Sequence, residues 1–253
     1  MDTNKTEKTF EERTPYEVEI NENIKLYKTG GQPFASDTYF LAAFAKKGKL
    51  AAELGCGSGA CSLICAAKGK FEKIVAYELQ PSLFEAASEN VEKNGLSDKI
   101  EVICSDVKDI KRSDSFDVVF ANPPYLKMGG KISPVEEKAL ARHEISGGVS
   151  EFAACASRML KTGGVFYCVY RPDRLPSLFA ALKENKIEPK IMTFVHHKRD
   201  FPSSMVLVRA IKGGAESMSV TKPLIVNENN GSMTEDAQRI YDTCSFKDFL
   251  SER

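Results

Sequence analysis

The stretch Leu50-Ala51-Ala52-Glu53-Leu54-Gly55-Cys56-Gly57-Ser58-Gly59 runs from an apolar segment into three alternate glycines, and then into the apolar run Ala60 to Ala67. Leu50 to Leu54 reads as a short strand and Ala60 to Ala67 as a helix, so the glycines form a strand-to-helix turn. Such a turn lets backbone amides approach a ligand closely, because glycine adopts conformations that a Cβ forbids. A second strand, Lys73 to Glu78, ends in an acid 19 residues after Gly59. A nicotinamide dehydrogenase places an acid on ribose hydroxyls in a comparable way. Its usual spacing is G-x-G-x-x-G, however, and here it is G-x-G-x-G. Glu53, two residues before the first glycine, fits a dinucleotide poorly and suits a ligand carrying a cationic amine.

Working outward, strands and helices alternate. Pro81 opens a helix that Asn94-Gly95 closes. Ile100 to Cys104 is a third strand, ending at Ser105-Asp106, and Phe116 to Ala121 is a fourth. A helix over 151–160 ends at Lys161-Thr162-Gly163-Gly164, and Val165 to Tyr170 is a fifth strand. A helix over 174–184 and strands over 187–195 and 204–211 complete the run. This order implies βαβ units. The expected fold is α/β: a doubly wound, mostly parallel, seven-stranded Rossmann-like sheet with an antiparallel last strand. In such sheets ligands bind beyond the carboxyl ends of the strands. Glu53, Glu78, Asp106 and Asn122 all lie at or just past those ends.

The fourth strand stops at Asn122-Pro123-Pro124-Tyr125, since two prolines cannot donate to a sheet ladder. An amide, a proline carbonyl and an aromatic ring can together hold a flat, amine-bearing group: the oxygens accept its N–H bonds and the ring stacks on its plane.

With 253 residues, 42% of them hydrophobic, the chain suits one domain of 24–245, with a polar tail and small hairpin over 1–23 and a tail over 246–253. Formal net charge is zero, so nucleic acid would have to be met by a local patch. Seven cysteines without a C-x-x-C pair, and a charged rather than apolar start, point to reduced thiols in a cytoplasmic protein. No run is long enough for a membrane span, and no membrane partner is expected. Cys61 and Cys65 lie one turn apart on an apolar helix and read as core thiols; no metal site is expected.

Glu53-Leu54-Gly55-Cys56-Gly57-Ser58-Gly59 resembles the first motif of the class I S-adenosylmethionine-dependent methyltransferases. The resemblance implies that the turn cradles the methionine part of S-adenosylmethionine, with S-adenosylhomocysteine as product. Glu78 would bind the ribose hydroxyls and Asp106 the adenine amino group. Glu53, Gly55, Cys56, Gly57, Gly59, Leu79, Val107 and Asn122 would complete the cofactor set. Asn122, Pro123, Pro124 and Tyr125 resemble the fourth motif of the amino-methyltransferases, which act on adenine or cytosine amines or on a glutamine amide, and would be catalytic.

Gln32-Pro33-Phe34-Ala35-Ser36-Asp37, Ala141-Arg142-His143-Glu144, Pro223-Leu224-Ile225-Val226 and Thr234-Glu235-Asp236 leading to Ile240-Tyr241 extend the likeness over residues 24–245. They resemble the bacterial tRNA(Val) adenine methyltransferases, which act on the adenine beside the anticodon. That implies a tRNA partner, with Asp37, Lys127, Lys131, Arg142, His143, His197 and Arg199 as candidate substrate contacts. His196-His197-Lys198-Arg199 lies between two strands and reads first as a solvated loop. The segment after Tyr125 is long for a loop, and long loops beside a site are often functional. One alternative is a glutamine methyltransferase acting on release factors. Such enzymes usually carry a helical domain before the glycine turn, whereas only 54 residues precede Gly55 here. An alternative of another class is a cofactor-binding scaffold without catalysis.

Overall fold

The computed structural model describes residues 18–21, 24–27, 36–123 and 148–251. The chain begins with strands β1 (Val18–Asn21) and β2 (Ile24–Leu26), paired antiparallel, and helix α1 (Ser36–Phe44). Then come β3 (Gly48–Leu54), α2 (Ala60–Ala67), β4 (Phe71–Glu78), α3 (Pro81–Lys93), β5 (Ile100–Cys104) and β6 (Phe116–Ala121). After the undescribed 124–147 the order is α4 (Val149–Met159), β7 (Leu160–Tyr170), α5 (Leu175–Glu184), β8 (Ile187–His196) and β9 (Ser203–Lys212). The two-residue strands β10 (Ser219–Val220) and β11 (Leu224–Ile225) and helices α6 (Glu235–Thr243) and α7 (Lys247–Ser251) complete it.

The main sheet has the order β10-β8-β9-β7-β6-β3-β4-β5, with β11 also on β8. The five strands from β5 to β7 are parallel. β9 is antiparallel to both neighbours, β7 and β8. The seven long strands therefore match the expected doubly wound sheet with an antiparallel last strand, which lies between the fifth and sixth. The sequence reading did not anticipate β10 and β11. Each contributes two residues of parallel pairing to the exposed side of β8, too few to leave a periodic signal.

Side chains alternate along the strands and so build two cores. Ala51, Ile74, Ala76, Val118, Phe120, Tyr167 and Val169 face α1, α2, α6 and α7. Ala52, Leu54, Val75, Tyr77, Val119, Ala121, Phe166 and Cys168 face α4 and α5. A strand covered on both faces needs apolar residues at every position, which is why β6 reads as a continuous apolar run apart from Asp117.

Helix α4 ends one residue before the expected boundary, and β7 starts at Leu160 rather than Val165. Leu160 pairs with Phe116, and the next pairing is Val165 with Val118, so the residues between bulge from the ladder. Gly163 takes φ +78°, and a Cβ on Gly164 would lie 2.8 Å from the Lys161 carbonyl oxygen. The glycines that look like a helix stop thus serve a bulge inside a strand.

Two features hold α1 in place. The buried Lys70 ammonium donates to the carbonyls of Ala42, Ala43 and Ala45 at 2.6, 3.0 and 2.7 Å. It satisfies carbonyls that a helix leaves unpaired at its C-terminus, where a positive charge is also favoured. On its outer side, Tyr39 stacks on Tyr241 of α6 at 4.6 Å and donates its hydroxyl proton to the Tyr241 carbonyl at 2.6 Å. Phe246 packs edge-on against Phe40 and Phe44. Residues 246–251, counted with a tail in the sequence, therefore begin with core side chains, Phe246 and Phe249 both being buried. Burying one such ring is worth roughly 1.5–3 kcal/mol.

Candidate active site

The strand register lines up the ends of three parallel strands. Leu54 pairs with Tyr77 on one side and Ala121 on the other. The next residues, Gly55, Glu78 and Asn122, consequently share one row at the carboxyl edge of the sheet. Strand spacing puts Asn122 about 10 Å from Glu78, with the glycine turn between them.

Gly55, Gly57 and Gly59 all take left-handed backbones, with φ +71°, +57° and +84°. That accounts for the alternation of glycine with other residues in the turn. The amides of Gly55 and Cys56 both donate to the Tyr77 carbonyl at 2.9 Å, which keeps the turn against β4. Gly59 starts α2, where a Cβ would come within 3.3 Å of the Ala87 Cβ on α3. The Ser58 carbonyl accepts from the Asn90 side chain at 2.9 Å. Asn90 is fully buried, and its oxygen accepts from the Tyr27 amide at 2.8 Å. It thereby ties the glycine turn to the chain leaving β2.

Glu78 is buried and uses both carboxylate oxygens: one accepts from the Gly57 amide and the other from the Gln80 amide, each at 2.8 Å. An ionised carboxylate offers about four acceptor positions, so two remain for a ligand. Leu79 beside it is 41% exposed, an apolar surface next to an acid. Asp106, half-buried, accepts from the Lys108 amide at 2.9 Å, and Val107 after it is buried.

Glu53 is buried at the end of β3 and accepts from both the amide and the hydroxyl of Ser62 on α2, always through Oε2. Oε1 accepts no hydrogen bond among the described residues. Burial pushes its carboxyl up to about 8, aided by the charge of Glu78 and opposed by the Ser62 bonds. A cation entering there would lower the cost of ionising Glu53.

Asn122 ends β6 half-buried, and its amide nitrogen donates to Asp37 Oδ2 at 3.0 Å. A carboxylate only accepts, so this bond fixes the flip of the amide. The Asn122 oxygen is left as an acceptor without a partner among the described residues. Asp37 lies in the first turn of α1, where its other oxygen accepts from the Thr38 amide at 2.7 Å. Pro123 is buried.

The structure thus brings Asp37, Glu53, the glycine turn with Cys56, Glu78, Leu79, Asp106, Val107, Asn122 and Pro123 to one edge of the sheet. Pro124, Tyr125, Lys127, Lys131, Arg142 and His143 lie outside the described residues. His197 and Arg199 follow β8, three strands away from β6. Sequence reasoning passed over Ser62 and Asn90. Each is a fully buried polar residue on a helix, Ser62 within the apolar run of α2, and that mismatch was the available signal. All seven cysteines are free thiols, with Cys104 exposed and the rest buried. Burial raises Cys56 and Cys61 well above the usual thiol range.

A mostly parallel sheet with a glycine turn and acids at successive strand ends defines a Rossmann-like methyltransferase fold. The methyltransferase small domain family matches residues 34–183, more than half of the chain, and the chain belongs to that family. A tRNA1(Val) (adenine(37)-N6)-methyltransferase of Dyadobacter fermentans is 28% identical over 71% of this chain and 75% of its own length. Enzymes of the same name from Aliivibrio salmonicida and Phocaeicola vulgatus are 27% and 29% identical, and the chain spans only 58% and 66% of their lengths. Among solved structures, a predicted O-methyltransferase from Agrobacterium tumefaciens superposes with a TM-score of 0.68 at 24% identity, over 83% of this chain and 97% of that one. TYW2 of P. horikoshii, solved in complex with MeSAdo, gives a TM-score of 0.55 at 18% identity over 77% of this chain and 70% of its own. These two likenesses speak for the fold. No described helix is long and apolar enough to cross a membrane.

Proposed function

We propose that this enzyme transfers a methyl group from S-adenosylmethionine to the exocyclic amine of an adenine in the anticodon loop of tRNA. The relatives named above support this, since their names specify that base and atom. The observation that carries it is Asn122, whose amide nitrogen is taken by Asp37 and whose oxygen has no partner among the described residues and can accept from an amine.

The chain's residues fit the cofactor. The left-handed glycines leave room for close approach, Glu53 sits ready for a cationic amino group, and Glu78 has acceptor positions for vicinal hydroxyls. Bound there, S-adenosylmethionine would supply an electrophilic methyl group. Asp106 would accept from an adenine amino group, with Leu79 offering an apolar surface.

The target amine is a weak nucleophile because its lone pair is delocalised into the ring. Asn122 Oδ1 and the Pro123 carbonyl would accept hydrogen bonds from its two N–H groups and favour a pyramidal nitrogen with an available lone pair; once the nitrogen carries the methyl group it gives up one of these protons to solvent. Tyr125 would stack on the base and fix its plane. Positioning then supplies much of the rate. The base has to be unstacked, which costs least in a single-stranded loop. This reaction belongs in the cytoplasm, where tRNA is.

The test is incubation with labelled S-adenosylmethionine and either bulk tRNA or bulk protein, followed by nucleoside and amino-acid analysis. N6-methyladenosine from tRNA is the expected product. Methylglutamine in protein would reject the proposal in favour of the release-factor reading.

A further inference from the structure

The β8–β9 turn, His197 to Pro202, lies at the same edge of the sheet as the candidate active site. β8 and β7 are each antiparallel to β9, so they run the same way, and β7 is parallel to β6. His196 therefore ends β8 on the side where Asn122 ends β6. In the order β8-β9-β7-β6 three strand spacings, about 14 Å, separate the two strands, and the register puts Asn122 level with Thr193, about 10 Å short of His196 along the strand, so the two strand ends lie about 17 Å apart.

The turn's backbone is well tied. The Phe201 amide donates to the Lys198 carbonyl at 3.1 Å, and the His196 ring nitrogen Nδ1 bonds the Phe201 carbonyl at 2.8 Å. The Asn227 amide donates to the His197 carbonyl at 3.0 Å, and the Asn227 side chain meets the His197 ring at 3.2 Å. Lys198 donates to the Asn229 carbonyl at 3.3 Å. On this braced frame Phe201 is held out, 58% exposed, the most exposed large apolar side chain among the described residues. Arg199 beside it is exposed and makes no hydrogen bond or ion pair among the described residues. The acids Asp200 and Glu228 are nearby and also exposed, so the patch is weakly rather than strongly positive.

An exposed ring beside an arginine suits single-stranded nucleic acid, where bases stack on aromatic faces and cations meet phosphates. Resting on the proposed reaction, we infer that this turn is a second RNA contact. Phe201 stacks an unpaired base from the same loop as the target adenine, and Arg199 meets an adjacent phosphate. At the stacked rise of about 3.4 Å per nucleotide, the separation of these strand ends spans about five nucleotides, and fewer once they unstack. Both contacts fit within one hairpin loop. The low local charge makes stacking the larger contribution.

The test uses the full chain with a fluorescent anticodon stem-loop, measuring binding by anisotropy and methylation at varied RNA concentration. Phe201→Ala should raise the RNA dissociation constant and KM roughly tenfold, the scale of one base stacked on an aromatic ring. Turnover at saturating RNA and affinity for S-adenosylhomocysteine should not change. Phe201→Tyr should retain RNA affinity, whereas Phe201→Leu should lose it, because leucine is apolar but offers no flat π face. Arg199→Ala should weaken binding several-fold and lower the salt slope by about one. RNA binding by Phe201→Ala within twofold of the parent overturns the inference, and so does full affinity in Phe201→Leu, which would mark an apolar protein-docking contact. If the parent binds the stem-loop without methylating it and Phe201→Ala loses that binding, the RNA contact stands and the proposed reaction falls. If the parent binds no RNA, both fall.

Discussion

The side-chain amide of Asn122 at the end of β6 donates to the carboxylate of Asp37 on α1 at 3.0 Å, a contact across 85 residues of sequence. α1 is itself clamped, by Lys70 at its C-terminus and by the Tyr39–Tyr241 stack on its outer side. The acceptor oxygen of Asn122 is thereby aimed by a rigid element rather than by a loop.

Asp37 acts through Asn122, so its loss should fall on turnover rather than on cofactor affinity. Asp37→Ala should lower kcat roughly tenfold or more, given about 1.5–3 kcal/mol for a hydrogen bond to a charged group. Calorimetry with S-adenosylhomocysteine should show no change. A substitution that merely loosened the fold would weaken both, and Asp37→Asn, which keeps an acceptor, should recover part of kcat.

Glu53 gives a pH signature. Its carboxyl is raised to about 8 from an ordinary value of 4.5, so the folded state holds a proton that the unfolded state gives up. Its stabilising contribution is complete below the unfolded value and is lost as pH rises through about 8. Glu53→Gln should flatten the stability-against-pH curve across that window, as read by thermal melting. A cationic amine bound beside Glu53 would favour the carboxylate. At neutral pH, binding of S-adenosylhomocysteine should then release a proton, detectable by calorimetry in buffers of different ionisation enthalpy. Equal apparent enthalpies in all buffers would argue against that contact.

Glu78 and Asp106 should rank differently. Glu78 holds the Gly57 amide and is the proposed partner of the ribose hydroxyls, whereas Asp106 accepts from the adjacent Lys108. Glu78→Ala should weaken S-adenosylhomocysteine binding by about 2–3 kcal/mol, and Asp106→Ala by less. Gly57→Val should abolish it, since a β-branched residue is strained at φ +57°. An equal or reversed ranking of the two acids would reject the assignment of the ribose to Glu78.

The strand ends were legible because parallel strands carry continuous apolar runs and acids stand out where those runs stop. Glu53, Glu78, Asp106 and Asn122 could be picked out that way, and the register places three of those strand ends in line. What stayed hidden depends on contacts distant in sequence. Nothing around Asp37 or Asn122 announces their hydrogen bond, and nothing around Asn90 announces that it ties β2 to the glycine turn. Gly163 and Gly164 misled because a helix stop and a strand bulge use the same residue for the same reason, its tolerance of a left-handed or crowded backbone. The β8–β9 turn read first as a solvated loop, with His197 and Arg199 contact candidates only by resemblance, until the topology put it at the edge of the sheet that carries Asn122.

The central claim is that an adenine amine in tRNA is methylated with the help of Asn122. The most direct measurement is mass spectrometry of nucleosides from unmodified tRNA after reaction with the parent enzyme and with Asn122→Ala. The parent should yield N6-methyladenosine at a single anticodon-loop position, and the variant should lose turnover by roughly a hundredfold while still binding S-adenosylhomocysteine, since one preorganised hydrogen bond contributes on that scale. Methyl label found only in cytosine, in duplex DNA or in protein, or a variant within about threefold of the parent, would contradict the account.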